Sequence, residues 1–407
     1  MNTIAERYVK LVLKLGVYDA DYVDAYYGPE EWKPGGAEAV RKEKFPYTEF
    51  QRDVKQLLDL LEKATPSPAE KLRRNSMLKQ LVAVSAKIEM LSGKKLSFDE
   101  ESSQLYDAVA PTRSESHYKV HLDELGKMLP GAGDVSARLE AYKRTFVIPK
   151  EKLDAVFKAA IAEGRRRTMK HIQLPSHESF TVEYVNNKPW SGYNWYKGNS
   201  FSVIQVNTDL PIFIDRAVDL ACHEGYPGHH VYNLLMEKHL FRERGWKEFC
   251  VYPLFSPQSL IAEGSANFGI EVALPGQERA AFERDVLFPI AGFDPQRASE
   301  YYKIQDVKAK LDDAGNEAAR NYLDGQWNAD AAAEWLVTYA LYSPERAAQR
   351  VKFIERYRSY VINYNLGQEM VRSFIERRGG TTANAELRWK VFEELLSEPH
   401  TPSALLN

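Results

Sequence analysis

The stretch His223-Glu224-Gly225-Tyr226-Pro227-Gly228-His229-His230 constrains this chain more than any other. A histidine, an adjacent glutamate and a second histidine near one helical turn on is how many zinc-hydrolase helices begin their site. Imidazole nitrogens suit zinc, and a glutamate beside the first ligand is placed to take a proton from water. Here, however, position i+4 from His223 is Pro227. On an uninterrupted helix His229 would point about 120° away from His223, and His230 would return to the right face about 10 Å further along the axis. Proline resolves the conflict, because it cannot donate to the His223 carbonyl and its ring clashes with that group. The helical pattern over residues 211–238 is therefore expected to kink, bulge or restart near Tyr226-Pro227, with Gly228 permitting an unusual backbone. Such a break swings His229 or His230 toward His223, and the spacing leaves both open.

A catalytic zinc site of this kind needs a third protein ligand and an open position. Glu263 is the best candidate, in the segment Ser259-Leu260-Ile261-Ala262-Glu263-Gly264-Ser265-Ala266-Asn267-Phe268. Small residues flank it, so its helix can pack close to the first. Glu271, two turns on, is the competing choice.

Together these motifs resemble the bacterial Domain of Unknown Function 885 family, whose members look like relatives of gluzincin metallopeptidases. The family's H-E-x-x-P-G-H-H is matched from His223 to His230. Its S-E-G-W-A-x-Y corresponds to residues 262–268, where Ala262, Ser265 and Phe268 replace the serine, tryptophan and tyrosine. Those departures bear on substrate contacts and leave the glutamate in place. A third element, A-x-x-Y-x-x-G, appears as Val361-Ile362-Asn363-Tyr364-Asn365-Leu366-Gly367. By motif the resemblance covers about residues 184–377. It implies one zinc ion per chain held by His223, His229 and Glu263, with His230 as the alternative ligand and Glu224 as general base. Tyr364 is the motif-matched donor to a developing oxyanion, and Tyr360, one turn earlier, is the alternative.

Composition bounds the rest. With 27% charged residues and a formal net charge of −3, the 407-residue chain reads as soluble and globular, with no electrostatic case for nucleic acid or an anionic membrane. Met1 to Arg7 lacks the charged-then-apolar pattern of a signal peptide, and no apolar run is long enough to span a bilayer. Two cysteines do not suggest a disulfide scaffold, so the expected location is cytoplasmic and Cys222 is expected to be a core thiol.

Periodicity predicts helices over residues 4–15, 50–62, 69–91, 115–128, 135–146 and 150–170. Alternation then predicts strands over 180–185, 192–196 and 201–206. Helices resume over 277–287, 295–322, 329–341, 344–377 and 384–396. The expected architecture is mainly α with a small antiparallel β-sheet before the metal-binding helix, and the family resemblance implies a multi-helix, zincin-like metallopeptidase fold. An N-terminal helical region, 1–175, is expected to pack on a catalytic region, 176–407. The segment Asp19 to Pro29 combines acids with tyrosines and reads either as a cleft wall or as helix-packing aromatics.

The leading functional reading is a zinc-dependent peptidase acting on peptides or small amides. Asn194, Tyr196 and Asn207 are candidates to contact substrate, and Arg356 and Arg358 to bind a substrate carboxylate. Two other readings stay open: a metal-dependent hydrolase of a non-peptide amide or ester, and a non-catalytic helical protein whose metal site is structural, closed by both His229 and His230.

Overall fold

The computed structural model describes residues 1–35 and 45–406. Its N-terminal part contains α1 (Asn2–Gly16), β1 (Val23–Tyr26), α2 (Tyr47–Lys63), α3 (Lys71–Leu91), α4 (Phe98–Tyr106), α5 (Glu115–Met128), α6 (Val135–Arg144) and α7 (Lys150–Thr168). In α1 the residues Tyr8, Val9, Val12 and Leu15 recur at helical spacing and are buried. Helix α4, absent from the periodicity reading, carries a local signal at its start. The Ser97 side chain accepts the Glu100 N–H, and the Glu100 carboxylate accepts the Ser97 N–H. Strand β1 and its antiparallel partner β5 (Val251–Pro253) are too short to show alternation.

The main sheet contains β2 (Ser179–Val185), β3 (Gly192–Gly198) and β4 (Phe201–Asn207), in the order β2-β4-β3. The expectation of an antiparallel sheet is corrected here. Strands β3 and β4 form an antiparallel hairpin, but β2 runs parallel to β4. The reason lies in the connection 186–191. It crosses the sheet end and is pinned by Asn207, whose amide donates to the Lys188 and Trp190 carbonyls at 3.0 and 2.9 Å. The chain thus starts β3 one strand's width away, and the tight turn at Asn199 and Ser200, both at positive φ, returns β4 into the gap.

The remaining helices are α8 (Asp215–Leu220), α9 (His229–Leu235), α10 (Pro257–Ala273), α11 (Gly276–Phe282), α12 (Phe288–Ala291), α13 (Ala298–Ala309), α14 (Ala314–Leu323), α15 (Ala329–Tyr339), α16 (Pro344–Tyr357), α17 (Ile362–Arg377) and α18 (Ala385–Ser397). Two expected long helices are broken. Residues 295–322 divide into α13 and α14, and 344–377 divides at Arg358, which adopts φ 54°, ψ −127°. Buried Glu101 of α4 holds the second break. One carboxylate oxygen accepts the Ser359 N–H and hydroxyl at 3.0 and 2.6 Å, and the other accepts Arg358 Nε at 2.6 Å. Three donors to one buried carboxylate outweigh continuation of the helix.

One buried apolar cluster draws on residues from Ile4 to Leu405, so the first helix and the last residues share it. A second runs from Tyr118 to Val351. Among the described residues no helix is long and apolar enough to cross a membrane.

Helices α10 and α17 meet backbone to backbone. A Cβ on Gly264 would lie 2.3 Å from the Gly367 carbonyl, and a Cβ on Gly367 would lie 2.6 Å from the Leu260 carbonyl. This crossing sets Glu263 of α10 beside the tyrosines at the start of α17. Gly367→Ala is expected to cost about 1–3 kcal/mol of stability through overpacking. Gly315→Ala, whose added methyl meets nothing within 4 Å, is the control. Urea denaturation of both variants checks this, and equal midpoints would contradict the crossing.

Candidate metal centre

The interruption of the histidine helix decides the site. Beyond α8 the coil widens: the Tyr226 N–H donates to the Ala221 carbonyl, five residues back, at 3.2 Å, and the Gly228 N–H to the Cys222 carbonyl, six back, at 2.9 Å. A Cβ on Gly228 would lie 1.9 Å from the His223 carbonyl oxygen, so only glycine closes this turn. Helix α9 restarts at His229, and His229 Nε2 comes to 3.1 Å from His223 Nε2. His230 points elsewhere and is fully buried. Its Nδ1 lies 2.8 Å from Ser202 Oγ and its Nε2 lies 3.1 Å from Glu178 Oε2.

Glu263 completes the group, with Oε2 at 3.1 Å from His223 Nε2 and 3.5 Å from His229 Nε2. Its other oxygen accepts the Tyr360 hydroxyl at 2.7 Å. Burial would raise this carboxyl, but His229 and His223 outweigh it and hold it well below the ordinary carboxylate range. The His223 tautomer follows from its neighbours. The Asn267 amide donates to the Tyr364 carbonyl at 3.1 Å, so Asn267 Oδ1 accepts, at 2.9 Å, the proton carried on His223 Nδ1. The Nε2 lone pair is thereby left facing Glu263 and His229.

A zinc fit can be tested on this geometry. Glu263 Oε2 is buried and makes no hydrogen bond, although two imidazole nitrogens face it. Separations of 3.1, 3.1 and 3.5 Å match the edges of a tetrahedron around zinc, about 3.3–3.4 Å for bonds of about 2.0–2.1 Å. Two imidazole nitrogens and a carboxylate oxygen, each able to offer a lone pair, converge in one buried place, which is the donor set that suits a zinc ion. The residues present fit zinc.

Glu224 lies beside this group, with the donor atoms of His223, Glu224 and His229 all within 4.8 Å of one another. Burial pushes its carboxyl up to about 7, with His229 opposing the rise and Glu263 adding to it. Its backbone carbonyl accepts the Asn194 amide at 2.7 Å. These residues line a cavity of about 1200 Å³, together with Asp24, Asn194, Asn207, Tyr360 and Tyr364. The Tyr364 ring stacks 6.5 Å from that of His223.

Other expected site residues fall differently. Tyr196, expected to contact substrate, is corrected to a core residue: its hydroxyl donates to Glu237 at 2.6 Å and it does not line the cavity. Strand alternation puts Asn194 and Tyr196 on one face, but two residues of rise carry Tyr196 past the cavity to Tyr27 and His230. Asn207 lines the cavity, yet its amide is spent on the loop carbonyls described above. Arg356 is paired with Asp21 and Arg358 with Glu101.

Sequence reasoning missed Asn267 and Asp24. Asn267 lies one turn after Glu263 on the same helix face, a signal that was available. Asp24, hydrogen-bonded by the Tyr193 hydroxyl, is pushed by burial up to about 6. Of its segment Asp24 alone lines the cleft, placed there by a strand pairing that no local pattern announces, and the tyrosines pack in or against the core.

Behind the site, burial would raise Glu178, but hydrogen bonds from His230, Tyr226 and Arg165 bring it down to about 2. A carboxyl held below its ordinary value of 4.5 contributes stability above pH 4.5 that is lost as pH falls toward 2. Glu178→Gln is therefore expected to be less stable than wild type at neutral pH, with the gap closing over that window. Thermal melts at pH 7, 4 and 3 measure this, and a gap independent of pH would contradict it.

No family model matches the chain, and no curated protein does, so the family resemblance rests on the motif residues alone. Two solved structures share the fold, and a third aligns more loosely. A provisionally assigned lipoprotein from Colwellia psychrerythraea aligns at 14% identity with a TM-score of 0.54, covering 94% of this chain and 76% of its own. A second such lipoprotein, of unknown function, from Shewanella oneidensis aligns at 13% identity and TM-score 0.50, covering 91% and 77%. An M32 carboxypeptidase from Deinococcus radiodurans aligns over 100% of this chain and 93% of its own, at 13% identity and TM-score 0.45. For the two lipoproteins, at these identities, the likeness is one of fold.

Proposed function

We propose that the chain is a zinc-dependent hydrolase, and within that class a metallopeptidase that cleaves peptide bonds. The observation that carries this reading is the convergence of His223, His229 and Glu263 on the wall of a large cavity, with the Glu224 carboxyl beside them. His223, His229 and Glu263 would hold the zinc, which when bound would supply a Lewis acid for the scissile carbonyl and for water. Glu224 takes the proton from water and delivers it to the leaving amine. The Tyr364 phenol lines the cavity, has no hydrogen-bond partner among the described residues and donates to the developing oxyanion. Tyr360 is less suited, because its hydroxyl is bound to Glu263.

The resemblance to the Domain of Unknown Function 885 family supports the same ligand set, through residues 223–230 and Glu263. Two observations bear on the other readings. His230, which a closed four-ligand site would require, is bound to Ser202 and Glu178. Strand β3 is an edge of its sheet, and its residues Gly192, Tyr193 and Asn194 line the cavity, which suits an extended peptide better than a compact amide or ester.

Peptide-library digestion read by mass spectrometry, with zinc present, tests the reading. Wild type is expected to cleave peptides, and Glu224→Gln to lose about 10²–10⁴-fold in rate while keeping its zinc. Absence of products from wild type, or equal rates in the variant, would sink it.

A further inference from the structure

The cavity does not end at the metal centre. Helix α16 forms one wall, and Arg346, Gln349, Arg350, Phe353 and Tyr357 line the cavity from it at spacings of three and four residues. Toward the centre this face is aromatic, and away from it the face is cationic. Charges elsewhere on the wall are mostly spoken for: Lys308 pairs with Asp312, Arg216 with Asp219 at 3.0 Å, and Arg279 with Glu283 at 2.8 Å. Arg346 and Arg350 pair with no carboxylate among the described residues. The Arg350 guanidinium stacks on Phe353 at 4.6 Å and lies 5.7 Å from the Tyr364 ring centre, and its Nε is buried without a hydrogen bond. Arg346 lies 4.7 Å from the Tyr342 ring.

Two neighbouring groups register this local excess of positive charge. Burial would raise the Tyr342 hydroxyl, yet Arg346, Arg350 and Lys308 hold it below its ordinary value. Lys143, on the same cavity wall, is pushed down by burial, with Asp215 opposing and Lys308, Arg346 and Arg216 adding to the fall. A guanidinium left without its anion in a partly dry wall is costly unless something arrives to pair with it.

We propose that Arg350, backed by Arg346, binds a carboxylate of the substrate, so that the substrates are peptides with a free carboxylate one or two residues beyond the bond cleaved. This rests on the hydrolase reading above and names its substrate class. One phenol ring, Tyr364, separates the guanidinium from the His223 imidazole. Those two separations, 5.7 and 6.5 Å, put the guanidinium no more than about 12 Å from the imidazole. Polar contacts of about 3 Å at either end leave a stretch that an extended chain, advancing about 3.3–3.6 Å per residue, covers in about two residues. Hydrolysis adds one water across the amide, releasing a shortened acid and a free amino acid or dipeptide whose carboxylate is the anchored one. Arg356 and Arg358, bound to Asp21 and Glu101, are not available for this role.

The test uses affinity selection, read by mass spectrometry, on the full chain carrying Glu224→Gln so that bound peptide is not consumed. The probes are a random tripeptide library as free acids, the same library amidated at its C-terminus, and an amidated library lacking Asp and Glu. Free acids are expected to be retained at least tenfold over neutral amides, Arg350→Gln to abolish that preference, and Arg350→Lys to restore part of it. A thermal melt like that of the parent establishes that the variants fold. Retention of amidated peptides that contain Asp or Glu would assign the anchored carboxylate to a side chain instead of the C-terminus. Equal retention of acids and neutral amides, a preference that survives Arg350→Gln, or no retention at all would overturn the proposal. Wild type is digested in parallel, so acid-selective binding without cleavage would sink the hydrolase reading and leave the anchor standing.

Discussion

His223 and His229 lie six positions apart in the chain, and their imidazoles meet only because the backbone at Gly228 closes against the His223 carbonyl. Everything else at the centre depends on that closure. A regular helix would hold the two rings on different faces. The widened turn removes the mismatch by satisfying the freed carbonyls of Ala221 and Cys222 with N–H groups five and six residues on, so the interruption leaves neither of these two carbonyls unpaired. It also turns His230 away, into a buried array with Ser202 and Glu178. The same widened turn therefore brings one histidine in and sends its neighbour out.

Around that pair the structure is arranged to aim lone pairs. Asn267 fixes the proton of His223 on Nδ1, the Tyr360 hydroxyl occupies one oxygen of Glu263, and His223 Nε2, His229 Nε2 and the other Glu263 oxygen are left facing one another. The glycine crossing of α10 and α17 makes this arrangement reachable, since any side chain at Gly264 or Gly367 would push Glu263 away from the tyrosines. Glu101 supports it from further out by holding the Arg358 break. That break lets α16 offer Arg350 and Phe353, and α17 offer Tyr364, to one cavity.

What could be read from the sequence follows the range of the interactions. The helix break at Pro227-Gly228, the glutamate on a small-residue helix and the three strands are local, and the structure has each of them near its expected place. The choice of His229 over His230 depended on Ser202 and Glu178, which lie far off in sequence. The parallel pairing of β2 with β4 was set by Asn207 clamping the loop 186–191, and the division at Arg358 by a carboxylate of α4. Periodicity cannot register such partners. The place of Tyr196 in the core and of Asp24 on the cavity wall has the same cause. A strand's alternation fixes which face a side chain takes, and only the packing of other elements decides whether that face meets core or cavity.

The most direct measurement is a crystal structure of the zinc-loaded chain with anomalous data at the zinc edge, alongside zinc quantified per chain in solution. The account predicts one anomalous peak per chain, about 2.0–2.2 Å from His223 Nε2, His229 Nε2 and Glu263 Oε2, with a stoichiometry near one. A peak at His230, or no ordered zinc after loading, would contradict it.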